Sequence, residues 1–476
     1  AFTTPRRGAG CVAIGCCVPQ RTKTAGRGPD PLFPSVRRLV RFGVPVALAG
    51  IAVPLMGLVD VAVLGRLGDP AVIAGVGVAG TVLTTVMWCF SFLRFTTTGL
   101  VAQAMGRDDQ RGLVLQGLRP MLAAVIGGVA LWLLQGAILS LGLAVIAPEP
   151  EVAAFSRSYF QVRVWGAPFT LTITTLSAWF MGLGAGRTVM VVQLFLNGLN
   201  AALTLLLVLG LGWGVAGAAA GTVLAELATT VLVVWLALRR LPLPLWRQPA
   251  ALILERGAWR RLFAANADIV VRTLLLTVCF ALITERGARF GTLTLAADQV
   301  LLQTFLLVAN LLDGVAIAAE VFVGRAVGAA NVAALRHVVG RSAMLALVWG
   351  GFIALLVAST AGVYLPLMTV NPELVAETRR YWPWLALLPL VSVWAFLADG
   401  IYFGSLRTWV LRNAMLVGAL FYVAGLLVFG PVLGNHGLWL SLCILMVVRA
   451  VGAALAWPRL VRDVANAEGE LADRRV

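Results

Sequence analysis

Val46-Ala-Leu-Ala-Gly-Ile-Ala-Val-Pro54-Leu-Met-Gly-Leu-Val-Asp60-Val-Ala-Val-Leu-Gly65 carries one charged side chain, Asp60, in an otherwise apolar run. A stretch of this kind spans a bilayer as a helix: about 20 apolar residues cross the hydrocarbon core, and a helix satisfies its own backbone hydrogen bonds there. It closes an apolar segment beginning near residue 39, and it is the first of a series. Similar segments lie at 71–105, 112–147, 152–183, 188–211 and 214–238, then at 259–285, 291–327, 333–369, 379–404, 409–431 and 436–458. The reading is an all-α integral membrane protein with twelve transmembrane helices.

Composition agrees. Of 476 residues 60% are hydrophobic and 12% charged, against about 25% charged in a soluble domain, so the chain lacks the polar surface to cover globular cores. The expected organisation is a disordered Gly/Arg-rich segment at 1–36, a six-helix lobe at 37–238 and a polar cytoplasmic linker at 239–258. A second six-helix lobe at 259–458 and a cytoplasmic tail at 459–476 complete it. The N-terminal segment also has the Arg-rich, acid-poor composition of organelle-targeting peptides, but an organelle membrane is the lesser expectation beside the cell inner membrane.

Several chemistries are excluded by residue type. The only lysine, Lys23, has Thr22 and Cys17 where a phosphate-binding P-loop needs glycines. The only histidines, His337 and His436, are too far apart for H-E-x-x-H zinc chemistry, and no serine sits in a G-x-S-x-G elbow. Gly75, Gly77 and Gly80 match G-x-G-x-x-G but lie inside an apolar helical run with no strand before them. The acid pair Asp108-Asp109 has Gly112 where a D-D-x-x-D metal motif needs aspartate. No enzyme, metal site or cofactor is expected. Cys89, Cys279 and Cys443 stand alone in apolar runs and read as small core residues, while Cys11, Cys16 and Cys17 crowd the N-terminus.

The two halves resemble each other. Gly106 pairs with Gly328 and Tyr159 with Tyr381 at an offset of 222, and Arg187 pairs with Arg407 and Gly217 with Gly437 at 220. A near-constant offset in chain order indicates an internal repeat. Six helices per repeat put both halves in the same orientation, giving two pseudo-symmetric lobes with a cleft between them. The positive charge of +16 falls between the spans: with both termini cytoplasmic, that side holds 27 Arg and Lys and the opposite side six. The charge is thus a topology signal, and no nucleic-acid partner is expected.

Charges inside the spans cost about 2.5–3.5 kcal/mol each at mid-bilayer and need partners, water or a neutral form. Asp60 has no basic residue within five positions, and Pro45 and Pro54 precede it on the same helix and permit a bend. It is the expected proton or cation coupling residue, with Pro45 and Pro54 as hinge. Asn197, Asn200 and Thr204 share one helix face and either bond to Asp60 or serve as interhelical packing. Asp399 reads as a cation or proton site of the second half, or as a carboxylate bridging helices. Asp268 and Arg272 stand four apart and are expected to neutralise each other. Arg94, Glu226, Asp313 and Glu320 join them as candidate cavity charges. Asp298, Arg163 and Arg449 lie near span ends, within reach of the interface.

At these residues the sequence resembles the multidrug and toxic compound extrusion (MATE) family, in its DinF-type branch. The resemblance rests on Gly57-Leu-Val-Asp-Val-Ala-Val-Leu-Gly65, Thr98-Gly-Leu-Val-Ala-Gln-Ala-Met-Gly106, Gly214-Val-Ala-Gly-Ala-Ala-Ala-Gly221, Leu312-Asp-Gly-Val-Ala-Ile-Ala-Ala-Glu320 and Asp399-Gly-Ile-Tyr-Phe-Gly404, in order along the chain. It implies two six-helix lobes around a central cavity, and efflux of organic cations or other small amphipathic compounds driven by inward H⁺ or Na⁺. It implies further that Asp60 matches the family's first-helix aspartate, Pro45 its bend, Asn200 the fifth-helix asparagine and Asp399 an acidic residue of the tenth helix. Thr204 stands where many members have aspartate. The seventh helix offers Asp268 and Arg272 rather than a glutamate, which favours protons over sodium. The expectation is a monomeric multidrug antiporter in the lipid bilayer working by alternating access; the alternative is a flippase of lipid-linked precursors, if Arg94, Arg163 and Arg272 face the cavity.

Overall fold

A computed structural model describes residues 32–66, 69–241, 249–369 and 371–473, with the backbone alone for 51–62, 250 and 261. The side chains of Asp60 and Pro54, and residues 1–31 of the N-terminal segment, lie outside the described residues.

Twelve long helices alternate in direction. In the first lobe α1 is Val36–Gly65; α2 runs over Pro70–Trp88 and Phe92–Gly106 with a turn at 89–91; α3 is Gln110–Ile146. Pro150–Arg163 and Ala167–Gly182, joined by the 3-10 turn Val164–Gly166, form α4. Gly186–Thr204 continues into a π-helical turn, Leu205–Gly210, as α5, and α6 is Gly214–Arg240. In the second lobe come α7 (Arg256–Ala288), α8 (Thr292–Gly328), α9 (Val332–Met368), α10 (Pro372–Gly404), α11 (Thr408–Leu433) and α12 (Asn435–Leu455). Ten of these helices are long and apolar enough to cross a membrane, and α1 and α4 bring the number to twelve. Their outer faces are apolar too: Leu133 is 80% exposed and Val432 78%, surface that only lipid can cover favourably. Cys89 is exposed and is not a core residue, whereas Cys279 and Cys443 are buried.

The repeat is built into local structure. Asp109 and Asn331, 222 positions apart, cap the third helix of their lobes by accepting from the backbone N–H of Gly112 and Ala334. The residues just before them, Asp108 and Ala330, share the left-handed conformation, with φ of 55° and 46°. The acid pair at 108–109 is therefore a helix start. Packing repeats likewise: α2 lies on α4 as α8 lies on α10, and α5 on α6 as α11 on α12. Between the lobes α2 crosses α8, and α1 runs along α8, where a Cβ on Gly43 would sit 2.7 Å from the carbonyl oxygen of Gly314. The counterpart of α1, α7, stands further from α2. That asymmetry leaves a cavity beside α7.

Beyond α12 the described residues continue as a helix. Trp457–Asp473 forms α13, which buries Leu460 and Val464 against the second lobe and pairs Asp463 with Arg407.

Candidate functional site

The cavity between α2, α7, α8, α10 and α12 encloses about 450 Å³, the size of a drug-like ligand site. Aromatic side chains from both lobes form its walls: Trp88 and Phe95 from α2, Phe280 from α7, Phe305 from α8 and Phe403 from α10. Phe95 and Phe403 stack across the lobe boundary with ring centroids 4.2 Å apart. Three cations and three acids interrupt this apolar surface: Arg94, Arg272 and Arg449 against Asp313, Glu320 and Asp399.

The charges differ in whether they are already satisfied. Asp399 binds two arginines, Arg272 of α7 and Arg449 of α12, the latter at 3.0 and 3.3 Å. All three side chains are nearly buried, so the carboxylate bridges α7, α10 and α12 and has no oxygen free of arginine. Asp313 and Glu320 make no hydrogen bond or ion pair among the described residues. They lie seven residues apart on one face of α8, about 10 Å along the axis, and Glu320 is buried with Oε1 unpartnered. Arg94 pairs with no carboxylate among the described residues; it lies over the Phe95 ring, 4.4 Å from its centroid, and acts electrostatically on both Asp313 and Glu320. Among the described residues, the cavity's unpaired ionisable groups are therefore two carboxyl groups and one guanidinium.

Several sequence expectations are corrected. Asp268 and Arg272 do not neutralise each other: Asp268 accepts from Arg412 at 2.7 Å and Thr408 at 2.8 Å, while Arg272 turns to Asp399. Four residues apart on a helix bring two side chains to the same side, but tertiary partners on α10 and α11 prevail over the local contact. Arg449 does not reach for the interface but is buried against Asp399. Arg163 and Glu226 form a two-bond pair at 2.7 and 3.0 Å, completed by Thr170, at the 3-10 break of α4. That pair belongs to the first lobe, and neither residue lines the cavity. An aromatic lining is what the sequence reading expects of the cavity, but its members could not be named from sequence, because they carry no motif and are marked only by where helix rotation aims them.

On α5, Asn200 and Thr204 are fully buried, and Asn200 donates to Thr222 of α6 at 2.8 Å. Both amide atoms of Asn197 lack a hydrogen-bond partner among the described residues. Thr204 leads directly into the π-helical turn. α1 packs along this helix as well as along α8, and Pro45 is accommodated within a continuous helix.

A protein-family model described as MatE matches the chain twice, over residues 45–206 and 269–426, once in each lobe. The chain belongs to the MatE family. It is 35% identical over 436 residues to the DNA damage-inducible protein F of Escherichia coli (strain K12), covering 91% of this chain and 94% of that one. It is 29% identical over 460 residues to the probable multidrug resistance protein NorM of Bradyrhizobium diazoefficiens, covering 89% and 93%. Among solved structures, a MATE in the bent conformation superposes with a TM-score of 0.83 at 19% identity, over 92% of this chain and 98% of that one. The chain is thus a multi-pass membrane protein of the MatE fold, with pseudo-symmetric six-helix lobes.

Proposed function

We propose that this protein is a multidrug efflux antiporter that exports small amphipathic or cationic compounds against inward flow of protons, by alternating access. The observation that carries the reading is the aromatic cavity with the unpaired carboxylates Asp313 and Glu320. Apolar walls accept varied shapes through burial, worth about 25 cal/mol per Å², while aromatic faces and two free acids favour a positive ligand. Arg272 and Arg449 are already neutralised by Asp399, and Arg163 by Glu226. An anionic lipid pyrophosphate, the cargo of a flippase, would meet Arg94 alone. The name of the Bradyrhizobium relative as a probable multidrug resistance protein supports the same reading.

Asp60 is the proposed proton carrier, assisted on the facing helix by Asn197, Asn200 and Thr204, with Pro45 and Pro54 letting α1 bend. The contact of Gly43 on Gly314 gives such a bend a direct route into the cavity, because Gly314 adjoins Asp313. Proton and substrate then compete through two conformations of the same helix pair, which is the thermodynamic requirement of antiport. The excess of basic residues on one side supports an orientation with both termini in the cytoplasm, and the reading is completed as a monomer in the cell inner membrane.

Transport in proteoliposomes under separate H⁺ and Na⁺ gradients, with paired cationic and anionic dyes, tests the reading. Export of cationic dye driven by a proton gradient is the expected result. Export of the anionic dye alone, or by neither gradient, would overturn it.

A further inference from the structure

Asp298 lies on α8 near the membrane face where α7 ends and α8 begins, two helical turns from the cavity residue Phe305. Its side chain is wholly enclosed, at 0% exposure. Oδ1 accepts from Asn435 Nδ2 at 2.8 Å and from Trp439 Nε1 at 2.9 Å, both on α12. Oδ2 has no hydrogen-bond partner among the described residues and is pressed toward the α7 backbone, where a Cβ on Gly287 would sit 2.6 Å away.

Among the described residues no cation answers this carboxyl group. At the end of α7, Arg286 and the capping residue Arg289 are engaged by Glu285. On α10 the facing groups are Glu377 and Tyr381; on α11, Tyr422 donates to the carbonyl of Cys279; on α12, His436 accepts from Trp384 at 2.9 Å. An isolated buried carboxylate is costly, whereas the neutral form keeps the two donors on Oδ1 and buries no charge, with its Oδ2 hydroxyl facing the α7 backbone. A second acid lies close by: Glu377, half-buried, accepts from Thr294, one turn before Asp298 on α8, and from the Tyr381 hydroxyl, each at 3.1 Å, and acts electrostatically on Asp298. Asn435 touches both sides, because it bonds Asp298 and lies within reach of the Tyr381 hydroxyl.

We propose that Asp298 is an exchangeable proton-binding site of the second lobe, separate from the α1 carboxyl, loaded past Glu377 and registered by Trp439. The proton resides on Oδ2, so Oδ1 keeps its donors in both states. Its release leaves an anion that draws Asn435 and the Trp439 indole closer, tightening α12 on α8, the helix that also carries Asp313 and Glu320. Occupancy is read without substrate or gradient, so the proposal stands or falls apart from the antiport reading.

The test is a titration of the purified full-length protein in detergent, over roughly pH 5 to 9, following tryptophan emission and the infrared absorption of protonated carboxyl groups. A sigmoidal change in emission should accompany loss of a carboxyl band as pH rises. Trp439→Phe should remove the emission change and keep the band, Asp298→Asn should remove the emission change together with the part of the band loss that tracks it in pH, and Glu377→Gln should slow the response to a pH jump by about tenfold or more. Emission that does not change in the wild type, a change that persists in Asp298→Asn, or one produced by Na⁺ at constant pH would overturn the site. Should Asp298→Asn fail to fold, Trp439→Phe decides: an emission change surviving there overturns the proposal. An unaltered pH-jump rate in Glu377→Gln overturns the route.

Discussion

Gly106 and Gly328 interlock across the lobe boundary. A Cβ on Gly106 would run into the backbone carbonyl of Arg325, and one on Gly328 into that of Gln103. Residues 103 and 325 are themselves 222 positions apart, as are the two glycines, so the contact is reciprocal about the pseudo-twofold axis. The amide of Gln103 adds a bond at 3.0 Å to the carbonyl of Gly404. Because each glycine meets backbone rather than a yielding side chain, any larger residue must push α2 from α8. Gly106→Val and Gly328→Val should each lower stability by about 1–3 kcal/mol or more, measured as a fall in the thermal midpoint in detergent. Gly77→Val, at a glycine whose Cβ would meet nothing, should be near neutral.

Asp399 holds two arginines, and the loss of each partner is unequal. Asp399→Ala strands both guanidinium groups in a nearly buried site, and removing one partner of a buried pair costs about 3–5 kcal/mol. Arg272→Met leaves Asp399 paired with Arg449 and should cost less. Thermal unfolding of the purified variants should rank Asp399→Ala well below Arg272→Met; equal midpoints would show that the bridge contributes little.

The fold was legible because bilayer-length apolar runs leave few alternatives, and the repeat was legible because Gly106 and Gly328 must be glycine for packing reasons. Side-chain pairing was not. Asp268 and Arg272 have the spacing of an intrahelical pair, yet Arg412 and Asp399 on neighbouring helices capture them. Helix rotation and tilt set such partners, and neither is encoded in the order of one helix's residues. Arg449 shows the same limit, since distance from a span end says nothing of whether a carboxylate waits at that depth. The cavity's acids are named from sequence as charges, but only the absence of partners among the described residues distinguishes Asp313 and Glu320 from the satisfied Glu226 and Asp399.

The free acids should select substrate charge. Replacing Glu320 or Asp313 removes an ionisable group that a bound cation would favour in its charged form, without disturbing a hydrogen bond or ion pair made within the described residues. Glu320→Gln and Asp313→Asn should each raise KM for a monovalent cationic dye by about tenfold, equivalent to roughly 1.4 kcal/mol, while an uncharged dye of the same shape is unaffected. Equal loss for both dyes would assign the acids to folding or coupling rather than to recognition.

A proton carrier on α1 makes a sharper demand. If Asp60 loads and releases the coupling proton, Asp60→Asn fixes the neutral form and severs transport from the proton gradient while leaving the aromatic cavity intact. Proton-driven dye export in proteoliposomes should fall to background, although dye binding to the purified variant and its yield in the membrane stay close to wild type. Gly43→Val supplies the mechanical control. It keeps the carboxyl but forces α1 away from the Gly314 carbonyl, whose oxygen would stand only 2.7 Å from the added Cβ, and so separates proton uptake from movement of α8. That variant should still bind dye and still respond to pH, yet transport it more slowly. Full proton-driven export by Asp60→Asn would remove Asp60 from the coupling mechanism and leave the second lobe to supply it.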